Sequence, residues 1–209
     1  MKIRPLASLA AALCLAAAAV PAARAQNANS LTAGNGPGAS AGQFVIKSIN
    51  VSTPNTPEPQ TIGGESQSKR YTVGKWLEME VEFSSTAPRT PELSFKYFVV
   101  IGGQMLTGDQ TLLDVPAGQS LFTVMYVAPR TISTVLKGQP LNASSVTNIA
   151  VQILRPGVNA PAAVKLLKDG PPFYNTLQQV PGFVLPKPRT PFAALWWDRY
   201  EQVKTAEAR

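Results

Sequence analysis

From Phe44 to Leu167 the chain is a succession of short runs rich in Val, Ile, Phe and Tyr, closed by Gly, Pro, Asn or Asp about every 8–12 residues. No stretch of helical length separates these runs. That argues against a parallel sheet, because parallel strands need a long and usually helical crossover. The strands must pair mainly antiparallel, and two sheets packed face to face bury one face of each. The expected fold is all-β: an immunoglobulin-like antiparallel β-sandwich over residues 43–170, with a small barrel as the alternative. The Cys-Trp-Cys signature of antibody domains is absent, so the likeness is one of architecture.

Individual runs can be assigned. Residues 44–51 form the first. Residues 71–84 form the second, with Leu77, Met79, Val81 and Phe83 on one face and Glu78, Glu80 and Glu82 on the other. Residues 93–101 are apolar on both faces and therefore central. Gly102-Gly103 suits a two-residue hairpin in which both positions need positive φ. Residues 104–107, 111–115, 121–127, 146–154 and 162–167 complete the strands, with a short helical segment over 131–137 closed by Gly138. The predicted core contains Leu77, Met79, Val81, Leu93, Phe95, Tyr97, Val99, Val124 and Val151, and the Tyr97 hydroxyl needs a partner there.

Both ends differ in texture. Lys2 and Arg4 precede an apolar run from Leu6 to Val20, and Ala23-Arg24-Ala25 is a small-x-small cleavage site. Residues 1–25 read as a signal peptide, which predicts export to the periplasm, cell surface or medium. The run is shorter than the roughly 20 residues a spanning helix needs, so no membrane span is expected in the mature chain. Residues 26–42, rich in Asn, Ser, Ala and Gly, read as a flexible leader. Residues 171–209 begin with a proline-rich extended stretch. An amphipathic α-helix is then predicted over 191–203, with Thr190 as cap, Pro191 in the first position and Phe192, Leu195, Trp196, Tyr200 and Val203 at helical spacing. The helix should dock on the sandwich with Trp196 more buried than Trp197.

The composition narrows the chemistry. The chain has no His, and its single Cys, Cys14, lies in the predicted signal. A mature domain without thiol or imidazole lacks the usual nucleophile–base pairs and transition-metal ligands. No catalytic, metal or cofactor site is predicted, and the chain reads as a non-enzyme. Neighbouring carboxylates among Glu78, Glu80 and Glu82 should lie about 6–7 Å apart, near the separation of glycosidase acid pairs. Their alternation with apolar residues is nevertheless that of an outward acidic ladder. Asp109 lacks the repeated spacing of a calcium loop, and neither Gly63-Gly64 nor Gly102-Gly103 leads into a phosphate-binding sequence. The formal charge of +7 includes Lys2, Arg4 and Arg24 of the signal, and the remaining cations are scattered. Nucleic-acid binding lacks its electrostatic footprint.

The candidate interaction residues are aromatic and apolar. Trp76, in register with Glu78 and Glu80, either stacks on a sugar ring or is covered by the chain's own tail, and self-covering is the favoured reading. Phe183 and Leu185 lie between Pro181 and Pro186 and can extend a sheet edge, in the same molecule or a neighbour. Phe192, Trp196, Trp197 and Tyr200 complete the set. The expected partners are envelope or pilus-type proteins, or a second copy of the chain, with a glycan as the alternative ligand.

The segment Thr190-Pro191-Phe192-Ala193-Ala194-Leu195-Trp196-Trp197-Asp198-Arg199-Tyr200-Glu201 and the run Val124-Met125-Tyr126-Val127-Ala128-Pro129-Arg130 resemble small exported proteins of Verrucomicrobia. In those proteins a similar segment follows an immunoglobulin-like sandwich, and the set is associated with type IV pilus-like systems. The resemblance covers essentially the whole mature chain and carries no catalytic motif. It implies a role in assembly or adhesion. A type IV pilin keeps a long apolar helix after processing, whereas Gln26-Asn27-Ala28-Asn29-Ser30 is polar. The implied role is therefore that of an accessory protein.

Overall fold

The computed structural model describes residues 42–57, 73–142 and 144–205. The predicted signal peptide (1–25), nearly all of the leader (26–42) and most of the loop before Val73 lie outside the described residues.

Among the described residues seven strands form the fold: β1 (Phe44–Ser52), β2 (Leu77–Ile101), β3 (Gln104–Val127), β4 (Val146–Leu154), β5 (Ala163–Leu166), β6 (Gln179–Pro181) and β7 (Val184–Pro186). A short helix, α1 (Pro129–Val135), follows β3. Five of the runs expected as separate strands belong to two long ones: 71–84 and 93–101 contribute to β2, and 104–107, 111–115 and 121–127 to β3. β2 loses register between Phe83 and Arg89, opposite Pro116–Gly118 of β3. Before that break β2 pairs with β1 and with residues 121–127 of β3. After it, β2 pairs with β4 and with residues 104–115 of β3. Phe83 and Phe95 lie twelve positions apart, about 40 Å in an unbent strand, yet their ring centroids are 4.9 Å apart. The hairpin of β2 and β3 is thus folded back on itself.

Two layers result, β1–β2–β3–β7 and β5–β4–β2–β3–β6, and every pairing except β3–β6 is antiparallel. The expected all-β antiparallel sandwich is the observed fold. Leu77, Met79, Val81 and Phe83 from one layer meet Leu93, Phe95, Tyr97, Val99 and Val151 from the other in the main core. Gly102 and Gly103, with φ of 54° and 81°, make the predicted hairpin turn. Val124 is buried as expected, but on the outer face of its layer. Among the described residues the Tyr97 hydroxyl has no hydrogen-bond partner, contrary to expectation.

The C-terminal stretch is a belt around the sandwich. Phe173 and Tyr174 cover Phe98, Val100 and Met105 on the outer face of the second layer, which explains why 93–101 is apolar on both sides. β6 then pairs with Met105–Thr107, and β7 with Met125–Val127, so residues 179–186 tie the two arms of β3 together. This is the intramolecular pairing of Phe183-Val184-Leu185 considered from sequence. The crossing is close: a Cβ on Gly108 would lie 2.0 Å from the Val184 carbonyl oxygen.

The α-helix predicted over 191–203 does not form. Thr190 does cap, accepting the Phe192 N–H at 3.3 Å, but only isolated turns follow, from Ala193 to Thr190, Leu195 to Phe192 and Arg199 to Trp196. Trp196 sits at φ 52°, which ends any helix. The edge of β3 competes for the backbone: the Glu201 N–H donates to Phe122, the Leu113 N–H to Gln202 and the Lys204 N–H to Thr111. A short helix is marginal without tertiary support, and here the tertiary support favours extended chain.

Candidate functional site: a tail clamped over an acidic strand face

The outer face of the first layer follows from strand register. Residues opposite one another in an antiparallel pair share a face. Glu78, Glu80 and Glu82 stand opposite Tyr126, Val124 and Phe122 on one side and Ser52, Asn50 and Ser48 on the other. The result is a row of carboxylates beside a row of apolar side chains, with Trp76 continuing the carboxylate row.

The tail covers this face with two anchors. The first is aromatic. Phe192 stacks on Tyr126 with ring centroids 4.6 Å apart and planes 4° from parallel, and meets Trp76 edge-on at 5.6 Å. Leu185 and Tyr200 pack against the same cluster. Trp76 is 8% exposed, and its indole N–H donates to Thr56 Oγ1 at 3.1 Å. The second anchor is electrostatic. Arg199 donates from Nε and Nη2 to the two oxygens of Glu80, each at 2.8 Å, and the Tyr200 hydroxyl donates to Glu80 Oε2 at 2.9 Å. The guanidinium also lies over the Phe122 ring, 4.2 Å from its centroid. The Arg199 hydrogen bonds hold the Glu80 carboxyl below its ordinary range against the opposing effect of burial. Burial, then the neighbouring Glu80, pushes the Tyr200 hydroxyl up.

The other two glutamates have partners as well. Ser52 donates to Glu78 at 2.7 Å, Ser120 donates to Glu82 at 2.6 Å, and Lys47 stands 3.6 Å from Glu82. Among the described residues no group of three or more acidic, His or Cys side chains is placed to hold a metal. No helix among them is long and apolar enough to cross a membrane.

Between the two anchors the chain turns outward. Leu195, Trp196 and Trp197 are presented to solvent, with Trp196 66% and Trp197 79% exposed. The expected docking of an aromatic helix is therefore corrected: Phe192 takes the buried position, and Trp196, though less exposed than Trp197 as expected, points away at its positive φ. A bulky side chain with positive φ is uncommon and strained, and here the anchored flanks enforce it. Phe183 is also exposed, on a separate apolar groove with Leu106, Val135 and Val180.

A groove of about 390 Å³ runs beneath the outward turn, between the tail and β3. Lys187, Ala193, Trp197, Tyr200, Glu201 and Gln202 line it over Thr123 and Val124. Lys187 is only 7% exposed. Its ammonium donates to the Ala193 carbonyl at 3.1 Å and sits 5.5 Å from the centroid of the Tyr200 ring. It meets no carboxylate among the described residues. Burial lowers its pKa and raises that of Glu201.

The sequence reading found Trp76, Phe192 and Tyr200, which the structure brings together with Leu185. It missed Arg199, Lys187 and the distinct position of Glu80. The available signal was a basic residue inside the aromatic tail segment of a chain whose second strand carries three outward acids.

No curated protein matches the chain. Its fold is similar to that of a crystal structure of a protein from Akkermansia muciniphila, a member of the Verrucomicrobia, with a TM-score of 0.64 and 18% identity over 78% of this chain and 94% of that one. At that identity the likeness speaks to the fold. A protein-family model matches residues 38–207. The chain belongs to the family that this model describes.

Proposed function

We propose that the protein is an exported, non-catalytic binding module of the cell envelope, an accessory to a pilus-like or related surface assembly, which engages its partner through the outward turn of the tail. The observation that carries this reading is the pair Trp196 and Trp197, both largely exposed between two firmly docked anchors. Exposed large aromatics are costly to keep in water and concentrate in recognition surfaces. The two anchors, with a positive φ at Trp196, hold the pair in place and pre-organise it for contact. The acidic ladder serves the fold: each glutamate is engaged by its own neighbours, and Glu80 is the tail's docking point. Export rests on the signal-like residues 1–25, and the link to pilus-like systems rests on the resemblance of the 190–201 segment.

The test is site-specific photo-crosslinking in living cells. A photoreactive side chain at position 196 should yield an adduct with an envelope protein, and one at the distant exposed position Val164 should not. Adducts from position 164 and none from 196 would overturn the assignment of the surface. The same material tests export, since the processed chain should begin at Gln26.

A further inference from the structure

We infer that the groove between the tail and β3 is a binding site for an acidic sugar, with Trp197 carrying the ring face and the Lys187 ammonium taking the carboxylate. This deepens the binding-module reading and rests on it.

A buried ammonium is expensive unless its donors are satisfied and its charge is compensated. Lys187 spends one N–H on the Ala193 carbonyl and faces the Tyr200 ring, which attracts a cation through its quadrupole. Neither neighbour supplies a full negative charge. Glu201 lines the same groove but is not within ion-pair distance, and Glu80 is already committed to Arg199 and Tyr200. Among the described residues the Lys187 charge is thus held without a counter-ion, in a groove open to solvent. That arrangement suits an anionic group arriving from outside.

The rest of the groove selects among anions. Trp197 at its rim is the most exposed large apolar side chain among the described residues. Its flat apolar surface suits the C–H face of a pyranose ring. Gln202, Glu201 and Thr123 add polar groups that can pair with hydroxyls. A volume of about 390 Å³ falls at the small end of ligand sites and fits one or two sugar rings. A hexuronic or nonulosonic acid combines the three required features: a ring face, hydroxyls and a carboxylate. A bare carboxylate, such as a peptide C-terminus, leaves Trp197 without a role.

Saturation-transfer-difference NMR on the purified protein tests this. The probes are glucuronate, galacturonate and N-acetylneuraminate, with glucose and galactose as neutral controls and acetate and a short peptide as carboxylate controls. The acidic sugars should bind at least tenfold more tightly than every control. Trp197→Ala, at an exposed position whose loss leaves no cavity, should weaken them at least tenfold. Lys187→Gln should bring acidic and neutral sugars to the same affinity, and Val164→Ala should bind as the parent does. Equal binding of acidic and neutral sugars by the parent, equal binding of acetate, absence of sugar binding, or full binding by Trp197→Ala would each overturn the proposal. If the sugar site fails while crosslinking from position 196 still succeeds, only the ligand class is wrong. If both fail, the binding-module reading falls with it.

Discussion

Replacing Phe192 with Ala removes the centre of the aromatic anchor, and the structure sets the size of the effect. The ring is almost wholly buried, so its transfer from water contributes about 2–3 kcal/mol. The stacked contact with Tyr126 and the edge contact with Trp76 each add about 0.5–1.5 kcal/mol. Releasing the positive φ of Trp196 returns about 1 kcal/mol. The expected net loss is roughly 3 kcal/mol, the low end for a buried Phe→Ala. Because Val203 and Lys204 hold the end of the tail through separate contacts with Leu112, Thr111 and Glu92, much of that loss should appear as local release of residues 187–200. Urea unfolding measures the total, and brief trypsin digestion reports the release through cleavage after Arg189 and Arg199. An unfolding free energy changed by less than about 0.5 kcal/mol, with Arg199 still protected, would refute the reasoning.

Three further outcomes are expected. Gly108→Ala places a Cβ 2.0 Å from the Val184 carbonyl oxygen, so the strap must lift and lose its β6 and β7 pairings. Calorimetry should show a loss of about 3 kcal/mol, whereas the parent melting point would contradict the close crossing. Tyr97→Phe removes a buried hydroxyl that lies near Thr123 and Gln110 but makes no hydrogen bond, so chemical denaturation should show a change between zero and about 1 kcal/mol of added stability. Acid should loosen the clamp. Glu80 titrates below its ordinary 4.5 in the folded protein, so its contribution is complete above that pH and is lost as pH falls through the depressed value. Glu201, raised by burial, has the opposite sign: its ionised form is penalised in the folded protein, and the penalty is relieved as pH falls through the raised value. Hydrogen exchange of residues 190–200 should therefore rise only below about pH 4.5, and Glu80→Gln should abolish that rise. An unchanged acid profile in the variant would place the transition elsewhere.

The strands were legible because burial on one face writes a period of two into Leu77–Phe83 and Leu93–Tyr97, and burial on both faces makes Phe98–Ile101 continuously apolar. Gly102-Gly103 marked its turn for the same kind of local reason, since both residues need positive φ. Where the reading stopped short, a distant segment decided the outcome. Nothing near Phe83 or Pro116 says that two strands continue through a bend and change layer, because that continuity depends on β2 and β3 bending together. Helical spacing in Phe192, Leu195, Trp196 and Tyr200 was real, and so was the Thr190 cap. The unpaired edge of β3 nevertheless offered hydrogen bonds that a short helix could not match. Phe192 alone of the expected pair with Trp196 is buried for this reason: without the helix, the side chain that reaches Tyr126 is the one beside the cap. The special status of Glu80 could not be read from a ladder of three equivalent acids, since only the tail distinguishes them.

Trp76 lies beneath the tail while Trp196 and Trp197 face solvent, and fluorescence can read this central contrast directly because the chain has three tryptophans. In the Trp196→Phe, Trp197→Phe double variant, Trp76 is the remaining emitter. Its emission should be blue-shifted and resist acrylamide, with quenching several-fold weaker than for free indole, and Phe192→Ala in that background should shift it to the red and expose it. Trp76 emission that acrylamide quenches as readily as free indole in the double variant would contradict the docked tail and the recognition surface built on it.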